Sequence, residues 1–436
     1  MQISEKYKNR KIAILGAFGV EGLATQDYLK SHGLPFDNLD QQTDPDYLSK
    51  VGNYEVVFRT PGVKPTSPEL VTAVKNGIVL TSQIEEFIDL CPGKIIGVTG
   101  TKGKGTTSTL IYNILTAGGQ KTFLGGNIGV PAISFLDSVT EDAWVVLELS
   151  SFQLQTLKKS PHIAVILNIT SEHLDYHADT AEYRASKANI VSHQGENDFA
   201  VICDDYDVPK SFAALTPASK YFFSRDHKTE GCYVDGNDQI VLNVEGEKAV
   251  IASFDELKLR GRHNLENVTA AALAAYLAGV ETDIISKTVK QFQGLEHRLE
   301  LVREVDGVKY YNDSFSTVPE TAIAAIASFQ EPIILIAGGS DKKSDYTELG
   351  EKIAKSKVKA VILIGEMAEN IKGSIPDSFA GQTIEGLTVM GDIVAKATEL
   401  ATAGDIVLLS PACASFGLFA DYKDRGNQFK DAVQGL

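Results

Sequence analysis

The chain has 436 residues, enough for about three domains, and its 43% hydrophobic and 22% charged residues are the ordinary balance of a globular protein. A formal charge of −16, from 41 basic and 57 acidic residues, excludes a nonspecific nucleic-acid binder and a protein held to anionic membrane surfaces. Cys91, Cys203, Cys232 and Cys413 lie far apart in no metal-ligand spacing, the first residues form no apolar signal core, and no apolar run nears the ~20 residues of a membrane helix, so reduced thiols, a cytoplasmic location and no membrane insertion are expected.

In chain order, the first predicted element is a strand over Lys11-Ile12-Ala13-Ile14-Leu15. It runs into Gly16-Ala17-Phe18-Gly19-Val20-Glu21-Gly22, a dinucleotide-type turn in which Ala17 takes the place of the first glycine. Asp40 follows about 20 residues on, as a ribose-binding acid would. A Rossmann-like βαβ unit is expected with its ligand open; a nicotinamide dinucleotide there would make the protein an NAD-dependent oxidoreductase. The turn-type cluster Cys91-Pro92-Gly93-Lys94 marks a boundary, giving a first domain over residues 1–91.

The next strand, Ile95-Ile96-Gly97-Val98, enters Thr99-Gly100-Thr101-Lys102-Gly103-Lys104-Gly105-Thr106-Thr107. A helical pattern leaves it, with Leu110, Ile111, Ile114 and Leu115 on one face and Gly118-Gly119 at its end. Strand, glycine-rich loop and helix together read as a phosphate site: backbone N–H groups, the helix N-terminus and the Lys104 ammonium all favour a triphosphate. The motif departs from the general P-loop, with Val98 where the first glycine belongs and Gly105 where a hydroxyl belongs, Thr106 coming one residue later. The bland alternative is an ordinary glycine-rich βα turn.

Two nearly continuous apolar runs follow, Ala143-Trp144-Val145-Val146-Leu147-Glu148-Leu149 and Ile163 to Thr170, as strands buried on both faces should read. Glu148 sits at the far end of the first and His173 just past the second. Ligands of parallel sheets bind beyond the carboxyl ends of the strands, so these two residues and the loop would meet in one crevice as magnesium ligands. The middle block continues through a more irregular part, Asn197 to Phe254, and a helix over Asn267–Tyr276 to about Gly294, giving a second domain over 92–294. The last block, 295–436, alternates helices with buried strands at Ile333–Ile336, Ala360–Ile364 and Ile406–Leu409, a second Rossmann-like pattern. The fold class is thus α/β in three domains: Rossmann-like, central P-loop ATPase-type with a parallel or mixed sheet, and Rossmann-like.

Taken together, Gly97 to Thr107, Gly125-Gly126-Asn127-Ile128-Gly129, Glu148 to Gln153, Asn168 to Asp175, Tyr183 to Lys187, Gly261 to Asn267, Glu296-His297-Arg298, Asn312-Asp313-Ser314, Gly338 to Lys342 and Ser410 to Phe416 with Arg425-Gly426-Asn427 resemble the Mur ligases, the ATP-dependent amide-forming enzymes of peptidoglycan assembly. The resemblance covers essentially the whole chain and is greatest to the branch that adds D-glutamate to UDP-N-acetylmuramoyl-L-alanine. It implies ATP and Mg²⁺ as cofactors, those two molecules as substrates, and a monomer.

The resemblance also assigns residues. Gly100, Thr101, Lys102, Gly103, Lys104, Gly105, Thr106, Asn264, Asn267, Arg298 and Asp313 would hold ATP. Thr106, Glu148, His173 and a carbamylated Lys187 would bind metal, and Lys104, Glu148, His173 and Lys187 would be catalytic. Gly19, Asp40, Gln41, Gly62, Asn127, Ser150, Gln153 and His173 would hold the UDP-sugar. Thr317, Lys342, Ser415 and Tyr422 would surround the incoming glutamate, Lys342 pairing with one of its carboxylates. The chain departs from the family at Phe315, where a lysine is usual, and at Val318, where an asparagine is usual. Arg425, Lys343 or Lys423 would then supply the missing cation, or glutamate binds more weakly than the motif suggests; Phe315 also keeps open a ligase that adds a different amino acid or stereoisomer. Gln41 and Gln42 also depart from the threonine and arginine of the best-matched relatives.

Overall fold

The computed structural model describes residues 2–172, 176–259, 261–341 and 344–436. Four strands, β1 (Ile12–Leu15), β2 (Phe36–Leu39), β3 (Val56–Arg59) and β4 (Val79–Thr81), form a parallel sheet in the order β2-β1-β3-β4. The helix Val20–Ser31 crosses over between β1 and β2. This is the Rossmann-like unit that the alternation of the first 91 residues implied.

Nine strands make the second sheet: β5 (Lys94–Thr99), β6 (Thr122–Gly126), β7 (Trp144–Glu148), β8 (Ile163–Ile166), β9 (Phe199–Cys203), β10 (Ser219–Ser224), β11 (Gly231–Val234), β12 (Gln239–Val244) and β13 (Glu247–Ser253), in the order β13-β12-β11-β10-β9-β8-β5-β7-β6. Pairings from β6 to β11 are parallel, and β11, β12 and β13 are antiparallel. Every residue of β7 and β8 is buried, which is why those segments read as unbroken apolar runs. The helix Lys104–Ala117 buries Leu110, Ile111, Ile114 and Leu115 and ends at Gly118, as its spacing predicts.

The stretch expected to be irregular, Asn197 to Phe254, is instead five strands of this sheet. Its last hairpin turns on two residues, Glu245 (φ 54°) and Gly246 (φ 87°), the geometry that matches strand twist. A glutamate in the first turn position, where Asn or Asp is the usual signal, hides that hairpin in the sequence.

Six strands form the third sheet: β14 (Glu300–Val305), β15 (Val308–Asn312), β16 (Ile333–Gly338), β17 (Val358–Ile364), β18 (Gln382–Ile384) and β19 (Ile406–Leu409), ordered β14-β15-β19-β16-β17-β18 and parallel except for β14 with β15. The three buried runs of the last block are β16, β17 and β19.

The chain divides into two compact units, residues 1–257 with 265–291, and residues 258–264 with 292–436. Within the first, the four-stranded and nine-stranded sheets share one core in which Ile14, Phe58 and Phe87 join Ile133, Leu154 and Ile166. Within the second, alternate residues serve opposite faces: Leu335, Leu363 and Leu408 pack on one side, Ile336, Ile362 and Leu409 on the other. Among the described residues no helix is long and apolar enough to cross a membrane.

Candidate active site

The glycine-rich loop joins β5 to the helix Lys104–Ala117 at the carboxyl edge of the nine-stranded sheet. Gly103, the residue before the helix, has φ 84°, a left-handed conformation that side chains resist. A Cβ there would stand 2.2 Å from Asn267 Oδ1 and 3.1 Å from Leu167 Cδ1. The segment after β8 braces the loop from the side: Thr101 N donates to the Asn168 carbonyl (2.7 Å) and Thr170 N donates to Thr101 Oγ1 (2.9 Å). Thr101 Oγ1 also lies 3.1 Å from the Tyr183 hydroxyl.

Two ammonium groups converge on the loop's first carbonyl. Lys104 Nζ donates to Gly100 O (3.1 Å) and Thr101 O (2.9 Å), while Lys187 Nζ donates to Gly100 O (2.9 Å) and Thr99 Oγ1 (3.3 Å). Lys187 is only 1% exposed, although a helix lysine is by default solvated. Burial, and then the neighbouring Lys104 charge, hold its ammonium well below the usual lysine range, against the pull of Glu172 and Glu148. Such a shift eases loss of the proton, and the amine that results is a nucleophile. Lys102 reaches the other way, to Glu172 at 2.6 Å.

Glu148 ends β7 and is buried; its Oε1 accepts from Asn127 Nδ2 at 2.7 Å, and Asn127 N donates to the Glu148 carbonyl at 2.8 Å. Gly126 makes this clamp possible, since at φ 96° its Cβ would lie 2.3 Å from that same carbonyl. The Glu148 carboxylate and the half-buried Thr106 hydroxyl are hard oxygen donors, as is a carbamate on Lys187, and such a set suits Mg²⁺. His173, assigned to metal and substrate, lies outside the described residues.

Of the residues assigned to the UDP-sugar, Ser150 and Gln153 close on each other: Gln153 Oε1 accepts from Ser150 N (3.0 Å) and Oγ (3.1 Å). Gln153 Nε2 donates to Glu21 Oε1 (2.8 Å), tying this loop to the turn after β1. Gly19 precedes the helix Val20–Ser31 directly. The Asp40 carboxylate accepts from Phe18 N (3.1 Å) and Gln42 N (2.9 Å), so it fastens that turn. Gln41 and Gly62 are exposed.

In the second unit Asp313 is buried and accepts from Leu299 N (3.1 Å), Ser410 Oγ (2.8 Å) and Ser316 Oγ, and burial pushes its carboxyl up to about 6. Arg298 lies over the Phe315 ring, 3.9 Å from its centroid. Tyr422 packs edge-on against Phe315, Ser415 is buried and Thr317 half-buried. Asn264 and Asn267 sit one turn apart on the helix His263–Leu277, and Asn267 Oδ1 accepts from Thr107 Oγ1 (3.3 Å). Lys342 and Lys343 lie outside the described residues.

Arg425 does not supply the cation missing at position 315. Its guanidinium is fully buried and donates to Ser314 Oγ and O and to the carbonyls of Cys413 and Ala414, which pins the loop after β19 to residue 314. Sequence reading also missed Arg59 and His177. Arg59 ends β3 in an apolar run, and it donates to the Val63 and Phe152 carbonyls (2.8 and 3.0 Å). His177 is buried against Phe152 with Nε2 3.0 Å from Ser151 Oγ. A charged residue closing an otherwise apolar strand was the available signal for Arg59; nothing in the spacing marked His177.

Cys203 and its near neighbour Asp205 meet the sequence-distant Glu266, the three ligand atoms lying within 4.8 Å of one another. Burial pushes this thiol up, away from the thiolate a metal would need, and Arg225 lies beside Glu266.

Family models for the Mur ligase middle domain and for the Mur ligase glutamate ligase domain match residues 98–275 and 297–413. A UDP-N-acetylmuramoylalanine--D-glutamate ligase of Ruminiclostridium cellulolyticum is 40% identical over 461 residues, covering 100% of this chain and 98% of the relative. One from Clostridium novyi is 41% identical, covering 98% and 97%. Among solved structures, Thermotoga maritima MurF ligase in complex with ADP matches with a TM-score of 0.61 at 19% identity, covering 98% and 96%. Acinetobacter baumannii MurF matches with a TM-score of 0.64 at 16% identity, covering 84% and 87%. Those two likenesses speak to the fold.

Proposed function

The chain belongs to the Mur ligase family, and from that premise we propose that it joins UDP-N-acetylmuramoyl-L-alanine to D-glutamate through an amide bond, at the expense of ATP, in making peptidoglycan precursors. The observation that carries the reading is the meeting of Lys104, Lys187 and Glu148 around the loop after β5, in a chain about 40% identical over its whole length to D-glutamate ligases.

A carboxylate is a poor acyl donor at neutral pH. One of its oxygens attacks the γ-phosphorus, ADP leaves, and an acyl phosphate forms. The glutamate amine then attacks the acyl carbon and loses a proton, and phosphate departs, leaving an amide. Little covalent chemistry falls to the protein, which positions groups and neutralises charge. Lys104, at the head of a helix whose N-terminus also favours anions, takes the β- and γ-phosphates and leaves its loop carbonyls to do so. Thr101 and Asn168 keep the loop in shape, and Asn127 orients Glu148. Lys187, its pKa lowered by burial and by Lys104, gives up its proton, adds to carbon dioxide and releases a second proton, which turns a repelled cation into an anionic oxygen ligand. Glu148, Thr106, His173 and that carbamate would hold Mg²⁺, which would supply charge neutralisation on the phosphates.

Arg298, Asp313, Asn264 and Asn267 serve the nucleotide in this reading. Lys342, Thr317, Ser415 and Tyr422 serve glutamate, and Gly19, Asp40, Gln41, Gly62, Asn127, Ser150 and Gln153 serve the sugar nucleotide. The working division is 1–91, 92–294 and 295–436, for sugar nucleotide, ATP and amino acid, in a cytoplasmic monomer. Identity of about 40% over the whole chain to D-glutamate ligases weighs against the nicotinamide alternative.

Phe315 and Val318 favour one rival within the family, a ligase for another amino acid or stereoisomer. ADP release measured with UDP-N-acetylmuramoyl-L-alanine against a panel of D- and L-amino acids separates the two. D-glutamate as the best acceptor supports the reading; another acceptor transfers the enzyme to the rival, and no ADP release refutes both.

A further inference from the structure

Phe315 stands where the family resemblance leads one to expect a charge for glutamate, yet its surroundings face a different residue. The Arg298 guanidinium lies 3.9 Å from the centroid of its ring, well inside the ~6 Å range of a cation–π contact. The ring is 39% exposed and packs against Tyr422 on one side. Tyr422 meets it edge-on at 5.0 Å and 88°, and His297 in turn meets Tyr422 at 5.9 Å and 85°. The two backbones are stitched on either side of the stack: Phe315 N donates to the His297 carbonyl (3.0 Å), and Leu299 N donates to Asp313 Oδ1 (3.1 Å). Arg298 is flanked by two residues with left-handed backbone, His297 at φ 62° and Leu299 at φ 46°. Such conformations cost of order 1–3 kcal/mol each and persist where the surroundings over-determine them. Here the surroundings are visible. His297 is buried, its Nδ1 lies 2.9 Å from Asn312 Nδ2, and Gly426 packs so close that a Cβ would stand 2.2 Å from that ring nitrogen.

We propose that Phe315 is a positioning residue for ATP: it aims the Arg298 guanidinium at the nucleotide and takes no part in holding the incoming amino acid. The proposal rests on the reading that Arg298 contacts the nucleotide. A ring does for Arg298 what a cation at 315 could not, since two adjacent cations repel, whereas an aromatic face attracts the guanidinium. Asp313 lies near enough for the Arg298 charge to act on its carboxyl.

The test compares Phe315→Leu, Phe315→Tyr, Arg298→Ala and the double variant Arg298→Ala/Phe315→Leu. The readouts are calorimetric Kd for ADP and separate KM values for ATP and D-glutamate. Leucine keeps bulk but has no π face, so Phe315→Leu should raise the ADP Kd and the ATP KM about three- to tenfold, equivalent to about 0.7–1.4 kcal/mol, with the glutamate KM within about twofold. Phe315→Tyr keeps the face and should stay within about twofold of the parent on every readout, and the double variant should bind ADP no more weakly than Arg298→Ala. A rise confined to the glutamate KM, a Phe315→Leu protein that binds ADP like the parent, or additive losses in the double variant would overturn the proposal. If Arg298→Ala itself leaves ADP binding unchanged, the nucleotide assignment of Arg298 fails, and the proposal fails with it. If Arg298→Ala weakens binding and Phe315→Leu does not, only the positioning role falls.

Discussion

Gly103→Ala probes the phosphate loop with one methyl group. The native φ of 84° costs an alanine about 1–2 kcal/mol relative to glycine. Its Cβ would stand 2.2 Å from Asn267 Oδ1, so that side chain has to give way. With it goes the hydrogen bond from Thr107 Oγ1, worth about 0.5–1.5 kcal/mol. Together these predict a loss of about 1.5–3.5 kcal/mol in the unit that holds the loop, which for a domain of this size lowers its unfolding midpoint by several degrees. Asn267 is also assigned to the nucleotide, so the ATP KM should rise by at least tenfold. Thermal unfolding followed by circular dichroism, with ATP kinetics alongside, reads both effects. An alanine variant with the parent's midpoint and ATP KM would refute the reasoning, because it would mean that the loop does not need its left-handed residue.

Three further outcomes are expected. Lys104→Ala should abolish ADP formation while circular dichroism shows the fold intact; a variant retaining most of its turnover would show that the loop does not hold the triphosphate. Lys187→Ala should be inactive and recover in part with added short carboxylic acids, and labelled carbon dioxide should give a carbamate signal in the parent alone. Without carbon dioxide, the depressed Lys187 pKa means that the unfolded chain binds the extra proton. Stability relative to Lys187→Met should therefore rise with pH toward the unfolded value of 10.5 and fall as pH drops through the lower folded value; equal slopes in the two proteins would contradict this. Asp313 has the opposite sign: burial pushes its folded carboxyl up to about 6 from the ordinary 3.8, so its contribution is full below about pH 4 and is lost as pH rises through 6. Asp313→Asn should remove that slope from denaturant midpoints measured across the window.

Much of this architecture was legible in the chain. The parallel strands around Gly97, Val146 and Val165 are buried on both faces and so announce themselves as apolar runs, and a glycine-rich loop between strand and helix marks the candidate phosphate site. What stayed hidden depends on contacts distant in sequence. The hairpin at Glu245-Gly246 lacks the usual turn residues. Lys187 reads as a surface lysine because only the fold buries it beside Lys104. Phe315 reads as a lost charge until the fold lays Arg298 upon it, and Arg425 reads as an available cation until its guanidinium is seen inside the protein, bound to backbone carbonyls. Sequence reports the periodicity of one element well, whereas a charge's environment is set by segments tens to a hundred residues away.

The most direct measurement follows oxygen. The carboxylate of UDP-N-acetylmuramoyl-L-alanine is labelled with heavy oxygen, turnover is run with ATP and D-glutamate, and the phosphate released is analysed by mass spectrometry. Activation through an acyl phosphate predicts one labelled oxygen in each phosphate and one retained in the amide. Unlabelled phosphate would contradict the account, because ATP would then be cleaved without passing its phosphoryl group to the substrate.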